Sequence, residues 1–401
     1  MSKIKVNYNY IDIERSLKNF SARAAQVIKE INNTNIKGFE YFNYKDTIYG
    51  YNIKTFEKIN EQVREIYASG INYCLVICSK SVSLSIKMVI DFLINRYLDQ
   101  RDYIKIEFIA PDDVTSKINF LTNKFYEQKF ILINYIFEES KQQNTLFNIF
   151  KTILIKNTGL HNAKKLIYYG VKTSDLQNLY CAKYEGFKTL IINEKLSSEF
   201  SIYAIPSLFI LELAGIDSKQ MVDSAIEALD EFEYDDIKLN IFYEYIAILL
   251  SLDFSFLSLS SFDEPSDNVA IFSKEYLFLL SNTILRTSVF PNTYYANWNA
   301  KFNIHSLQHF IWIKDKRFDY EIYDDVHDED HLAHLDVLNI NKMQEVLYNM
   351  SKDIQGEYGY RPLIEFVLAD RSETSISQYI IFIQKVGLLL KYLQTNKQAN
   401  N

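Results

Sequence analysis

Short apolar runs alternate with amphipathic helical patterns through the first half of the chain. A run of about five apolar residues fits a strand buried on both faces, whereas apolar residues three or four positions apart fit one face of a helix. Strand alternating with helix predicts a doubly wound parallel sheet, whose ligands bind at the carboxyl ends of the strands. The predicted strands are residues 73–78, 103–109, 129–136, 165–169 and 188–192.

The second half of the chain is less regular. Residues 200–258 are mostly helical in pattern, residues 258–268 are polar and predict a loop, and a second α/β region follows, with strands expected at 318–322 and 363–368. The two halves together predict an α/β fold of two doubly wound parallel-sheet lobes with surrounding helices. The expected divisions are a polar helical segment (1–60), a first lobe (61–239), a second lobe (240–394) and a polar tail (395–401).

Composition narrows the classes of function. The net charge of −8 argues against a dedicated nucleic-acid binder, because affinity for phosphates comes from basic patches. Three cysteines, with Cys74 and Cys78 in the first predicted strand, indicate a reducing compartment and ordinary core thiols. There is neither a leader-like segment nor an uncharged apolar run of roughly 18 residues, so we expect a cytoplasmic protein without a transmembrane segment.

Four short segments carry a resemblance to known motifs. Ser197–Ser201 is similar to G-G-R-F-S, and Leu213–Asp217 to the A-G-I-D that ends the helix after it. Asn303–Leu307 is similar to D-L-H-S-M, and Asp328–Leu335 to D-E-D-N-L-D-G-L. These motifs belong to the phosphoglucose isomerase (glucose-6-phosphate isomerase) family, whose short bacterial form the chain resembles. The resemblance implies two sugar isomerase-like lobes, interconversion of an aldose and a ketose 6-phosphate, a homodimer, and no cofactor.

The resemblance also implies which groups should carry the chemistry, and most matching positions here hold other side chains. The family binds the sugar phosphate with a Ser/Thr loop after the third strand, steadies an oxyanion with an arginine and moves a proton with a glutamate. The arginine position is Glu199, and the glutamate position falls on Asn282 or Ile284. The phosphate loop corresponds to a stretch without a glycine or a hydroxyl cluster, namely Asn134, Tyr135, Ile136, Phe137, Glu138 and Glu139.

Two further family features are retained in part. His305 matches the family's ring-opening histidine, and its alternative interpretation is a residue that begins a helix. The family's C-terminal lysine is represented only by Lys391 or Lys397, neither of which has the surrounding motif.

Two other groups of polar residues each have a simpler alternative. The loop after the first strand could bind an anion, or form a solvated turn, with Ser79, Lys80 and Ser81. An acid-rich stretch could suggest a metal site through His327, His331 and His334. Because this stretch matches a family segment that is not a metal site, we expect no metal.

The absence of the family's phosphate loop, arginine, glutamate and C-terminal lysine motif favours a catalytically degenerate isomerase homologue. Such a homologue would act as a structural or interaction subunit, in a homodimer or a larger assembly. Each missing interaction is worth about 10²-fold in rate, so their combined loss argues against turnover and against binding of sugar phosphates. The alternative is an active glucose-6-phosphate isomerase whose site residues lie in another register. A third hypothesis is a small-molecule binding domain that uses Lys80 and His305.

Overall fold

The computed structural model describes residues 3–18, 44–94, 103–138, 140–232, 240–252, 256–277, 284–288, 306–316, 319, 339–357 and 361–399. The chain forms two compact units: Lys37–Asp223, here called the first lobe, and Met1–Ile36 with Ser224–Asn401, here called the second lobe. The divisions expected near residues 60 and 240 stay predictions. No helix within the described ranges is long and apolar enough to cross a membrane.

The first lobe is built on a five-stranded sheet in which all neighbouring strands are parallel. With strands numbered along the chain, its members are β2 (Tyr73–Ile77), β3 (Lys105–Ile109), β4 (Ile131–Tyr135), β5 (Ile167–Lys172) and β6 (Lys188–Ile192). The order β3-β2-β4-β5-β6 reverses direction once, beside β2, as in doubly wound sheets. The five strands predicted from apolar runs are therefore confirmed.

Helices surround this sheet. They are α1 (Tyr44–Tyr49), α2 (Ile53–Ala68), α3 (Lys80–Leu93), α4 (Thr115–Phe125), α5 (Lys141–Thr158), α6 (Leu160–Leu166), α7 (Leu176–Glu185) and α8 (Ile205–Leu213), with a 3₁₀ segment at Ser198–Tyr203. Apolar side chains of α4 and α5, such as Phe125 and Phe150, pack with Leu75 and Leu132 of the central strands in one buried cluster. This core fixes the carboxyl ends of the strands, where the candidate site lies.

The second lobe also contains a five-stranded sheet, in the order β1-β10-β9-β7-β8. Its strands are β1 (Ile4–Asn9), β7 (Phe256–Ser261), β8 (Ile284–Ser288), β9 (Ser306–Asp315) and β10 (Leu363–Asp370). Its helices are α10 (Ile241–Ser251), α11 (Glu264–Leu277), α12 (Ile340–Glu357) and α13 (Glu373–Ala399), and α9 (Ser218–Phe232) continues into this lobe. Four strands are mutually parallel, but β1 runs antiparallel to β10.

The helical segment predicted over residues 1–60 is helical at the described residues 13–18, 44–49 and 53–60, but Ile4–Asn9 form a strand. Ile4 and Val6 are buried on either side of the exposed Lys5, with the period of two of a strand. The predicted loop at 258–268 is the end of β7 and the beginning of α11. The serines of β7 are buried between two neighbouring strands, where small side chains fit close packing.

Two strands were predicted in the second half of the chain, at 318–322 and 363–368. The strand predicted at 363–368 is confirmed by β10. The strand predicted at 318–322 lies outside the described residues except for residue 319, and β9 ends just before it.

Candidate functional site

The end of β4 occupies the position of the predicted phosphate loop. Asn134 and Tyr135 are the last two residues of the strand rather than loop residues, and both side chains are buried. The main-chain N–H of Ile136, which is also buried, donates to the Gly170 carbonyl at 2.8 Å. Only Phe137 and Glu138 reach the surface, half-buried and exposed respectively, and Glu139 lies outside the described residues.

The side chain of Gln143 is buried at the end of β4 and bonds to oxygen atoms there; this arrangement is here called the closed end of β4. The Gln143 side-chain nitrogen lies 3.3 Å from the Ile77 carbonyl, 3.0 Å from the Asn134 side-chain oxygen and 3.0 Å from the Tyr135 carbonyl. Ser140 caps α5 by accepting a hydrogen bond from the Gln143 backbone N–H at 3.4 Å. One side chain therefore ties the first turn of α5 to the ends of β2 and β4 and directs its N–H groups at acceptors of this chain.

Sequence reasoning missed Gln143, although a local signal was present. Ser140 followed three residues later by Gln143 has the spacing of a capping box, which marks a helix start. That signal places α5 but does not predict the bonds to β2 and β4.

Tyr135 fills the space between β4 and the start of α8. Its hydroxyl donates to the Ser201 carbonyl at 3.3 Å and shares a hydrogen bond with the Ser207 hydroxyl at 3.0 Å. Burial raises the pKa of this phenol well above its usual value. A Cβ atom on Gly170 would lie 2.9 Å from Pro206 Cγ and 3.0 Å from Tyr135 Cδ2, so the packing leaves no room for a side chain there.

The 3₁₀ segment holds the position at which the resemblance implies an arginine. Glu199 is exposed, whereas the next residue, Phe200, is buried and stacks on Tyr44 with ring centroids 4.9 Å apart. The Phe200 anchor therefore keeps the Glu199 side chain at the surface of the first lobe. A carboxylate here repels anions, whereas an arginine would attract them.

The loop after β2 contains the possible anion site. The Ser79 and Ser81 hydroxyls lie 3.0 Å apart, and the Lys80 ammonium lies 2.7 Å from the Asp112 carboxylate. The hydrogen bond with Asp112 raises the pKa of Lys80, and both side chains of the pair are more than half exposed. Ser79 precedes α3, and Lys80 and Ser81 lie in its first turn, so this segment is a helix start rather than a loop. Anion binding by Ser79, Lys80 and Ser81 stays a prediction.

Several predicted site residues fall where their side chains are not described. Asn282, His305 and the three histidines of the acid-rich stretch lie outside the described residues, and Ile284 is the first residue of β8. Strand β9 begins at Ser306, and both interpretations of His305 stay predictions. Lys391 and Lys397 lie on α13.

The described residues offer no group of His, Cys, Asp and Glu side chains that could hold a metal ion. Cys74 and Cys78 are buried as expected for core thiols, and burial raises the pKa of both; Cys181 is exposed.

The second lobe contains an open polar cavity of about 440 Å³ that sequence reasoning did not find. Its floor is Trp312, one face of which lies 4.0 Å from the Lys316 ammonium while the ring also stacks on Tyr348 at 4.6 Å. Lys316 is in turn paired with the buried Asp263 at 2.8 Å. The lining also includes Lys314, Lys342, Asp319 and Glu345, so the cavity carries charges of both signs.

No family model matches this chain, but it is similar to curated proteins named glucose-6-phosphate isomerase. The glucose-6-phosphate isomerase of Mycoplasmopsis pulmonis is 25% identical over 98% of this chain and 94% of its own length. That of Leuconostoc mesenteroides is 27% identical over 55% of this chain and half of its own length.

Solved structures share the fold at low sequence identity. A hypothetical protein from Thermus thermophilus superposes with a TM-score of 0.85 at 11% identity, covering 97% of this chain and 94% of that one. A glucose-6-phosphate isomerase from Chlamydia trachomatis gives a TM-score of 0.75 at 9% identity, covering 98% of this chain and 84% of that one. At such identities the structures establish the mixed α/β fold alone.

Proposed function

We propose that this chain is a divergent, catalytically degenerate member of the glucose-6-phosphate isomerase family that serves as a structural or interaction subunit. Membership rests on similarity over nearly the whole chain and on a shared fold. A fold does not carry an activity unless the site residues supply the chemistry. The proposal therefore depends on the residues at the carboxyl edge of the first-lobe sheet.

The observation that carries the proposal is the closed end of β4. A sugar phosphate needs several N–H, hydroxyl or cationic donors that converge on its dianion. Here the Gln143 amide and the Ile136 main-chain N–H donate to carbonyl and amide oxygens of this chain. The buried Tyr135 hydroxyl likewise bonds to Ser201 and Ser207. The N–H groups of Gln143 and Ile136 and the Tyr135 hydroxyl are therefore engaged within the chain. The Asn134 side-chain nitrogen has no hydrogen-bond partner among the described residues, but it is buried and is a single group rather than a set of converging donors.

Charge supports the same conclusion. The side chains that reach the surface beside this strand end and in the 3₁₀ segment include the carboxylates of Glu138 and Glu199. A phosphate ester carries about −1.5 to −2 charge at pH 7, so these carboxylates oppose its approach. The proposed ligands of the protein are therefore other proteins, including a second copy of this chain, in the cytoplasm.

A coupled assay for conversion of fructose 6-phosphate to glucose 6-phosphate tests the proposal. We expect no turnover above background, because the positions of the oxyanion-stabilising arginine and the phosphate donors hold other groups. An active isomerase of the family, assayed in the same mixture, is the control. A rate of about 1 s⁻¹ or more, the lower end of ordinary enzymes, would sink the proposal.

A working glucose-6-phosphate isomerase is the second candidate. It is favoured by the relative of that name from Mycoplasmopsis pulmonis, which aligns over nearly the full length of both chains. Under this hypothesis the base and the phosphate donors are residues other than those assigned from the resemblance. Turnover in the coupled assay would establish this candidate, whereas absent turnover together with a stoichiometric protein partner on purification would support the interaction subunit.

A further inference from the structure

Helix α12 lies on the second-lobe sheet with polar groups on its buried side. Its buried residues are Tyr348, Ser351 and Gln355, and the Tyr348 ring packs with Phe310 and Trp312 of β9. Six apolar residues recur at intervals of three or four positions along the same helix, which places them together on a different side. These residues, here called the α12 stripe, are Ile340, Met343, Val346, Leu347, Met350 and Ile354.

The α12 stripe is only partly covered by the rest of the chain. Ile340, Val346 and Met350 are 41%, 44% and 52% exposed, and the other three residues are half-buried. A surface helix normally turns its apolar stripe to its own core and its polar residues to water, so α12 departs from the usual arrangement. An apolar surface that continues over several turns of a helix is typical of a site of association.

The charge beside the α12 stripe has a direction along the helix. Lys342 and Asp353 are eleven residues apart, about three full turns, so they lie on the same side of α12, next to Val346. Both are exposed, and Lys342 forms a 2.7 Å pair with Glu345 of the kind that adds little to stability. A helix macrodipole favours negative charge at the start and positive charge at the end. Lys342 in the first turn and Glu357 in the last have the opposite arrangement.

We propose that the α12 stripe packs antiparallel on the α12 stripe of a second copy of this chain, about a two-fold axis. In such a pair the same border of each stripe meets the other, running in the opposite direction. Placing Val346 opposite Met350 of the partner subunit brings Lys342 beside Asp353 of the partner subunit, twice by symmetry. A parallel pair would leave these two charges about 16 Å apart along the axis. The surface is thus complementary to itself in polarity and in charge, which fits a second copy.

The dimer supplies a partner for the interaction role proposed above, and it rests on that role. The two proposals fail on different results. Turnover of fructose 6-phosphate by a chain that still dimerises through α12 would remove catalytic degeneracy alone, whereas a monomer without turnover would remove this dimer alone.

Sedimentation equilibrium of the unmodified chain and of Met350→Glu tests the apolar contact. We expect a dimer at about 10 µM, and at least about 100-fold weaker association of the variant, because its carboxylate would be buried against the partner stripe. Phe120→Glu, which changes another exposed apolar residue on α4, is the matched control and should leave the dissociation constant unchanged. An unmodified chain that is monomeric, or a Met350→Glu dimer no weaker than the Phe120→Glu dimer, overturns the proposal.

Charge reversal tests the antiparallel register. In the Lys342→Glu dimer two carboxylates meet at each border contact, and in the Asp353→Lys dimer two ammonium groups meet, so each variant alone should associate about tenfold more weakly. An equimolar mixture of the two variants should recover the affinity of the unmodified chain, because every border contact again joins opposite charges. A mixture that associates no more tightly than the single variants would overturn the antiparallel pairing.

Discussion

One side chain, Gln143, determines how β4 ends. Its two amide hydrogens are shared among the Ile77 carbonyl, the Tyr135 carbonyl and the Asn134 side-chain oxygen, which lie 3.0–3.3 Å from the amide nitrogen. Gln143 is 5% exposed, so water cannot easily replace these bonds. Removing a donor that serves buried acceptors leaves them unsatisfied, which costs more than the net value of the lost hydrogen bonds.

Replacing this amide should measurably destabilise the chain. For Gln143→Ala we expect the free energy of unfolding to fall by about 1–3 kcal/mol, because buried acceptors lose their donor. The matched control is Gln142→Ala, since Gln142 is the exposed neighbour on the same helix turn and should change stability by less than about 0.5 kcal/mol. Urea unfolding at unchanged m-value measures both differences. Equal losses for the two variants would contradict the role given to Gln143.

At the next level of structure, Glu194 joins the loops that follow β5 and β6. Its carboxylate accepts hydrogen bonds from the Thr173 hydroxyl, the Ser174 hydroxyl and the Ser174 backbone N–H, the last at 2.6 Å. Hydrogen bonds to the charged form lower the pKa of Glu194 to about 2, with the Ser174 and Thr173 hydroxyls as the main cause. The carboxylate therefore holds two strand ends together mainly when it is ionised.

The hydrogen bonds that Glu194 accepts from Thr173 and Ser174, here called the Glu194 clamp, predict that the free energy of unfolding depends on pH. The pKa of Glu194 is lower in the folded chain than its ordinary value of 4.5. The contribution of Glu194 to the free energy of unfolding is therefore complete above about pH 4.5 and disappears as the pH falls through about 2. Because Glu194 is exposed, we expect Glu194→Gln to lower the free energy of unfolding by less than about 1 kcal/mol at pH 7. The difference from the unmodified chain should shrink steadily towards pH 2.

Chemical unfolding at a series of pH values measures this difference. Glu127→Gln, at an exposed position beyond α4, is the control and should match the unmodified chain throughout. A Glu194→Gln difference that stays constant from pH 7 to pH 2.5 would refute the clamp.

Some strands were predicted from the sequence and others were not. The difference follows from how each strand is buried in its sheet. Strands β2 and β4 are buried on both faces, so their apolar runs are unmistakable. Strand β7 carries serines on a sheet interior, which a sequence pattern cannot separate from a loop. Strand β1 has the apolar–polar alternation of a strand in Ile4, Lys5 and Val6, but its partner β10 lies more than 350 residues away in the sequence. Strands β8 and β9 were not predicted either, so β10 is the member of the second-lobe sheet that the sequence identified.

For the chain as a whole, the fold survives at sequence identities that preserve little chemistry. The chain superposes on a glucose-6-phosphate isomerase with a TM-score of 0.75 at 9% identity. The alternation of strand and helix was sufficient to predict the first-lobe sheet. The motif positions of the candidate site stay predictions, and the hydrogen bonds of Gln143 and Ser207 were not predictable because they depend on tertiary packing.

The closed strand end and the charge of the chain predict how it responds to sugar phosphates. The protein carries a net charge of −8, and Glu138 and Glu199 add negative charge at positions that the resemblance assigns to the family's site. Under the proposed function we expect titration calorimetry with glucose 6-phosphate to detect no binding up to millimolar ligand. Glu199→Arg reverses one charge but supplies no proton-transferring carboxylate at the position that the resemblance assigns to Asn282 or Ile284. Turnover should remain absent in this variant, and Glu199→Gln separates loss of repulsion from gain of a cation. Micromolar binding of glucose 6-phosphate to the unmodified chain would show that the residues at the end of β4 do not replace the phosphate loop.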